Sequence, residues 1–155
     1  MNRPSTTIIA EAGVNHNGDF EVALRLVDAA AAANADVVKF QTYNTKKLVT
    51  RNAPKAAYQE KSTDPTEKQF DMLEKLQLDY ESHRQLKRHA ESKGLRFMST
   101  AFDEDSLKFL TDDLGLEILK IPSGEITNLP YLTHIAAKGK PMVVSTGMAD
   151  LSEAH

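Results

Sequence analysis

One pattern recurs five times along this chain: a short apolar run, a cluster of small or polar residues, then a helical stretch. The runs are 7–13 (TIIAEAG), 37–42 (VVKFQT), 96–100 (RFMST), 118–123 (ILKIPS) and 142–146 (MVVST). Near-continuous apolar strands that alternate with helices belong to a parallel sheet covered by helices. Polar residues gathered at the carboxyl ends of such strands mark the ligand-binding end of α/β folds. Two of the runs carry a lysine, Lys39 and Lys120. A charge buried without a partner is costly, so an anion is expected to meet them.

Composition narrows the class. The 155 residues are 41% hydrophobic and 26% charged with net charge −3, enough for one domain with a core. No basic stripe or tail points to nucleic acid or an anionic membrane. The absence of cysteine excludes disulfides and thiolate metal sites. No apolar stretch approaches the roughly 20 residues of a membrane span. The opening MNRPSTT lacks the apolar centre of a secretory signal, so the cytoplasm is the expected compartment.

Helix signals fall between the runs. Asp19, Asp79, Asp103 and Asn128 stand where N-caps belong. Asn34, Gly94, Gly115 and Gly139 stand where helices stop. Ala23, Leu26, Val27 and Ala30 form the apolar stripe of the first helix, and Phe70, Leu73 and Leu76 that of a short helix over 67–76. The insertion 43–65 shows no clear core pattern and reads as a functional or disordered loop. A last helix begins near Leu151. Five such β/α units fit a complete doubly wound sheet or the first five units of a (β/α)8 barrel of the TIM type, which needs about 250 residues. Functional-looking residues end every strand, as a barrel mouth requires, whereas an open sheet gathers them at one switch point. The expectation is therefore an α/β fold in which 1–155 form the amino-terminal portion of a barrel.

Chemistry-bearing residues sit at those strand ends. Glu11 reads either as an acid or base or as an ion partner for Lys39 or Lys120. Each lysine reads as an anion clamp, a Schiff-base lysine or half of a structural pair with Glu11 or Glu125. Two lysines at equivalent strand positions favour the clamp. Ser123-Gly124-Glu125 and Ser145-Thr146-Gly147 offer hydroxyls and backbone N–H groups that suit either an anion nest or a turn. The loop Asn15-His16-Asn17-Gly18 reads as a substrate contact or a tight turn, with His16 the histidine at the mouth. His83, His89 and His134 lie in helical patterns and are expected at the surface. No histidine pair has metal-ligand spacing.

The segments 9–19 (IAEAGVNHNGD), 38–42 (VKFQT), 99–103 (STAFD), 120–125 (KIPSGE), Asn128-Leu129-Pro130 and 145–149 (STGMA) resemble, in order, the amino-terminal part of the N-acetylneuraminate (sialic acid) synthase-like enzymes that make nonulosonic acids. The family often has proline where this chain has Ala101 and glycine where it has Asn34. The resemblance implies a (β/α)8 barrel that condenses phosphoenolpyruvate with an N-acetylmannosamine-like acetamido-sugar to give a sialic, legionaminic or pseudaminic type of acid plus phosphate. It implies a divalent metal, manganese or magnesium, with ligands outside this chain. It also implies a carboxyl-terminal antifreeze-like domain, also outside the chain, and a homodimer. By motif position Lys39, Thr100, Lys120, Ser123 and Ser145 would hold phosphoenolpyruvate. Glu11 would be the acid/base group near the attacking water, with Gln41 beside it, and Glu125 would hold sugar hydroxyls. The competing expectation is a non-catalytic half-barrel that at most binds a phosphorylated ligand.

Overall fold

The computed structural model describes residues 6–54 and 67–154. Five parallel strands form one sheet in the order β1-β2-β3-β4-β5, each pairing with the next in sequence. They are β1 (Ile9–Gly13), β2 (Val37–Thr42), β3 (Arg96–Ala101), β4 (Leu119–Ile121) and β5 (Met142–Val144). The order never reverses, so the sheet has no switch point of the doubly wound kind.

Helices α1 (Phe20–Ala32), α2 (Thr45–Leu48), α3 (Gln69–Leu76), α4 (Tyr80–Ser92), α5 (Glu104–Lys108), α6 (Leu129–Ala136) and α7 (Leu151–Ala154) connect or follow the strands. The capping logic holds at the atomic level. Asp19, Asp79, Asp103 and Asn128 accept from the backbone N–H of Val22, Ser82, Ser106 and Tyr131. Such a cap contributes about 1 kcal/mol and fixes where each helix leaves its loop. Asn34 takes the left-handed conformation at φ 55° that ends the α1 region. The helix after Asp103 is not uniform: α5 passes into a π-helical turn, Phe109–Asp113, where the Thr111 hydroxyl donates to the Leu107 carbonyl.

Alternation along the strands gives the sheet two unlike faces. One carries Ala12, Val38, Phe40, Phe97, Ala101, Leu119 and Ile121. These join Val27 and Ala30 of α1, Leu86 and Ala90 of α4, and Tyr131 and Ile135 of α6 in a single hydrophobic cluster. Burying one such large side chain contributes roughly 1.5–3 kcal/mol, so this face holds the fold together. The other face carries Glu11, Lys39, Gln41, Met98, Thr100 and Lys120, none of which belongs to the cluster.

Three expectations need correction. The insertion does contribute to the interior: Tyr43 and Thr45 are buried. The Tyr43 hydroxyl donates to the Leu73 carbonyl, while the Thr45 N–H and hydroxyl both donate to Gln77 Oε1. Residues 55–65 of the insertion lie outside the described residues. In α3 the buried side chains are Phe70 and Met72, with Leu73 and Leu76 only partly covered. Finally, His83 is not a surface residue but a core one, and His16 is likewise enclosed, each 1% exposed.

Candidate active site

Because all five strands are parallel, their carboxyl ends open on one side of the sheet. There the register aligns Glu11 with Lys39, Gln41 with Thr100, and Thr100 with Lys120. The two lysines, the carboxylate, the amide and the hydroxyl thus share the polar face. Lys39 is 8% exposed. Its ammonium lies 2.5 Å from Glu11 Oε2 and 3.4 Å from the Thr100 hydroxyl, to which it donates. The Glu11 side chain is about half exposed. The pair is lopsided: a buried ammonium meets a carboxylate that water also solvates. The pair therefore settles the Lys39 charge without locking it.

Lys120 differs. Its ammonium donates to the Ile121 carbonyl at 2.6 Å. Among the described residues no carboxylate lies within ion-pair distance of it. Burial, and after it the nearby positive charge of Lys39, holds Lys120 below the usual lysine range, while Glu11 opposes the shift. The structural pair is therefore Glu11–Lys39, and Lys120 keeps its charge unspent.

Gly13 explains how Glu11 and Gln41 share a corner. It ends β1 at φ 55°, and a Cβ there would stand 3.2 Å from Glu11 Oε1 and 3.7 Å from Gln41 Nε2. The missing side chain leaves room for both groups.

The remaining sequence candidates lie farther along the same end. Ser123 and Glu125 sit in a 3-10 turn directly after β4. Glu125 accepts from the Asn128 side-chain amide at 2.7 Å. It lines a separate cleft of about 330 Å³ with Lys47, Asp103 and Tyr131. Ser145 follows β5, and its N–H donates to the Ile121 carbonyl. The structure thus brings Glu11, Lys39, Gln41, Thr100 and Lys120 into one group and puts Glu125 in the neighbouring cleft.

His16 packs against Phe40, and its Nδ1 accepts from the Gly18 N–H at 3.0 Å. Burial, then the neighbouring His83, lowers its pKa to about 4, so it is neutral and turned away from solvent. His83 Nε2 stands 3.1 Å from the Gln41 carbonyl and Nδ1 2.9 Å from the Asp79 carbonyl. The sequence signal for its burial was present but faint: it is the fourth residue after an N-cap, one turn before Leu86 on the core side of α4.

The fold and the polar strand ends define an α/β protein with a lysine-bearing polar group at the carboxyl edge of a parallel sheet. The chain belongs to the NeuB family, whose sequence profile matches residues 26–155. It is 51% identical over 148 residues to the N,N'-diacetyllegionaminic acid synthase of Campylobacter jejuni, covering 96% of this chain and 44% of that protein. It is 53% identical over 146 residues to the enzyme of the same name from Legionella pneumophila, covering 94% of this chain and 41% of that one. Among solved structures, the N-acetylneuraminic acid synthetase of Leptospira borgpetersenii superposes with a TM-score of 0.77 at 33% identity, over 96% of this chain and 47% of that chain. The chain therefore spans less than half the length of the curated relatives it matches.

Proposed function

We propose that this chain forms the phosphoenolpyruvate-binding part of a nonulosonic acid synthase that condenses phosphoenolpyruvate with an acetamido-sugar. The observation that carries the reading is the charge balance on the polar face. Lys39 pairs with Glu11, and Lys120 has no carboxylate within ion-pair distance among the described residues, which leaves a net positive group in a half-enclosed place. A phosphate or carboxylate answers that surplus, and a charge-assisted bond is stronger than a neutral one. Lys39, Thr100 and Lys120 would hold phosphoenolpyruvate, with Ser123 and Ser145 supplying hydroxyls from the next two strand ends. Glu125, in its own cleft, would take sugar hydroxyls. Glu11, open to solvent on one side, would hold or move the proton of the attacking water, with the Gln41 amide beside it.

In the overall reaction the methylene carbon of phosphoenolpyruvate bonds to the sugar aldehyde carbon. Water adds to the former enol carbon, and phosphate leaves by carbon–oxygen cleavage. The product class is read as legionaminic, since two relatives above 50% identity bear that name. Sialic and pseudaminic acids are the alternatives. The five strands would be the first five of a (β/α)8 barrel, supported by their sequential order and by apolar edges that call for cover: Ile8 is 54% exposed beside β1 and Val144 48% exposed in β5. Among the described residues no three His, Cys, Asp or Glu side chains meet as a ligand set. These residues do not fit the divalent ion that the family implies. The same reading places the protein in the cytoplasm as a homodimer.

The test joins this chain to the remainder of the Campylobacter relative. The fusion is then assayed with phosphoenolpyruvate and either a di-acetamido-trideoxy sugar or N-acetylmannosamine. The expected result is phosphate release that depends on the di-acetamido sugar, with the label from ¹⁸O-water in the nonulosonic acid and none in phosphate. Phosphoenolpyruvate binding without turnover by either sugar would instead support the non-catalytic module.

A further inference from the structure

His83 lies behind the site, on the helix-covered side of the sheet, and none of the roles above uses it. The β1–β2 register shifts between Glu11 and Gly13 and ends at Gly13 opposite Phe40. Beyond that point β1 has turned away, and Val14 begins a turn in which its carbonyl accepts from Asn17. The Gln41 carbonyl is therefore left without a ladder donor from β1. A buried carbonyl in that position needs a partner.

We infer that His83 is a positioning residue for Gln41: its Nε2–H donates to the Gln41 main-chain carbonyl and thereby fixes the carboxyl end of β2, from which the Gln41 side chain reaches the corner shared with Glu11. The choice of tautomer follows from the partners. The Asp79 carbonyl, beside Nδ1, already accepts the His83 backbone N–H at 3.2 Å. The Gln41 carbonyl, 3.1 Å from Nε2, has the imidazole as its donor. A proton on Nδ1 would leave the Gln41 carbonyl facing a lone pair, whereas a proton on Nε2 leaves Nδ1 close to a carbonyl that already has a donor, at the cost of a 2.9 Å contact between two acceptors. Burial lowers the His83 pKa, so the ring stays neutral and one proton must choose between the two carbonyls. The ring itself is held edge-on to Phe109, so it cannot swing to another acceptor without repacking the core. The Gln41 role that gives this clamp a purpose rests on the functional reading above; the clamp itself does not.

The experiment is side-chain NMR on the whole chain, with ¹⁵N-labelled histidine and glutamine. Wild type is expected to show His83 as the neutral Nε2–H tautomer. A Nδ1–H tautomer, or an imidazolium at pH 7, would overturn the assignment. In His83→Phe, which keeps a ring but no donor, the Gln41 side-chain NH₂ pair is expected to move toward the values of a free glutamine. In His83→Gln, whose amide can donate to the same carbonyl, it is expected to return toward wild type. Unchanged Gln41 signals in a folded His83→Phe would overturn the positioning role, as would failure of rescue in a folded His83→Gln. If His83→Phe does not fold, the tautomer and the His83→Gln spectrum still decide. Absence of phosphoenolpyruvate binding by wild type would count against the functional reading and leave these readouts intact.

Discussion

At the scale of residues, the question is which of two lysines is free to meet a ligand. Lys39 is the more buried, yet Glu11 and Thr100 already answer it. Lys120 is the more open, and its ammonium has a single carbonyl partner. Lys120→Met tests this difference because it keeps most of the apolar length and removes the charge. A charge-assisted bond to phosphate or carboxylate is worth about 1.5–3 kcal/mol, so phosphoenolpyruvate affinity should fall roughly ten- to a hundredfold by calorimetric titration. Sugar affinity should change little. The melting temperature should hold or rise, since a desolvated charge near Lys39 disappears and no carboxylate loses its partner. A large fall in melting temperature with unchanged phosphoenolpyruvate affinity would mean that Lys120 serves structure instead. Gly13 offers a second test at this scale. At φ 55° an alanine costs about 1–2 kcal/mol in backbone strain, and its Cβ would press on the Glu11 carboxylate. Gly13→Ala should lower stability by about that amount in urea denaturation and weaken the Glu11–Lys39 pair.

At the scale of elements, the described parts of the segment between β2 and α4, residues 43–54 and 67–79, act as a strap that ties α3 to the end of β2 and to the β1–α1 loop. Beside the buried Phe70, Met72 and Leu78, its anchors are the Tyr43 hydroxyl on the Leu73 carbonyl, Thr45 on the Gln77 side chain, and Gly18 against the Lys75 carbonyl. A Cβ on Gly18 would stand 2.0 Å from the Lys75 carbonyl oxygen, and its φ of 78° disfavours side chains independently. Gly18→Ala should therefore detach α3 from the β1–α1 loop while leaving the sheet intact, seen as faster amide exchange in α3 but not in β2 or β3. Unchanged exchange in α3 would show that the strap is held elsewhere. The strands and caps were legible in the sequence because each is a local pattern: an apolar run, then an Asp or Asn whose side chain reaches the next turn. What escaped is nonlocal. His83 sits in YESHRQLKRHAES, a stretch whose polarity suggests a solvated helix. Its burial depends on a carbonyl 42 positions earlier, orphaned by a bulge that no local pattern announces. Tyr43 and Thr45 were missed for the same reason, since their partners lie about 30 residues downstream. At the site, the polar strand ends were visible, but the division of labour between Lys39 and Lys120 came only from the register of β1 on β2.

At the scale of the whole molecule, two consequences follow from what this chain does and does not bring together. With no metal-ligand set among the described residues, the chain alone should bind manganese weakly and show no condensation of phosphoenolpyruvate with an acetamido-sugar; turnover by the purified chain would refute this. The second consequence is a dependence of folding on pH that comes from the two enclosed histidines. His16 is neutral in the folded state, with its pKa lowered to about 4 from an ordinary value of 6.5. His83 is shifted in the same direction by burial. An unfolded chain takes up a proton on each ring near pH 6.5, whereas the folded chain resists both, and resists protonation of His16 down to about pH 4. Stability is therefore at its full value above about pH 6.5 and declines as pH falls toward 4. For His16 the loss across that window is on the order of 3 kcal/mol, with His83 adding to it. Carboxylates whose folded pKa is lowered, such as Asp28 and Asp79, lose their contribution only below the ordinary carboxylate range, so they do not account for the interval above it. Urea denaturation between pH 7.5 and 4.5 should show a midpoint that falls steadily below pH 6.5. His16→Asn keeps an acceptor near the Gly18 N–H but removes the titrating ring. Whatever its midpoint at pH 7.5, it should fall less steeply than wild type on acidification. A wild-type midpoint that stays flat from pH 6.5 to 4.5, or an unchanged slope in His16→Asn, would show that His16 is not held neutral by the fold.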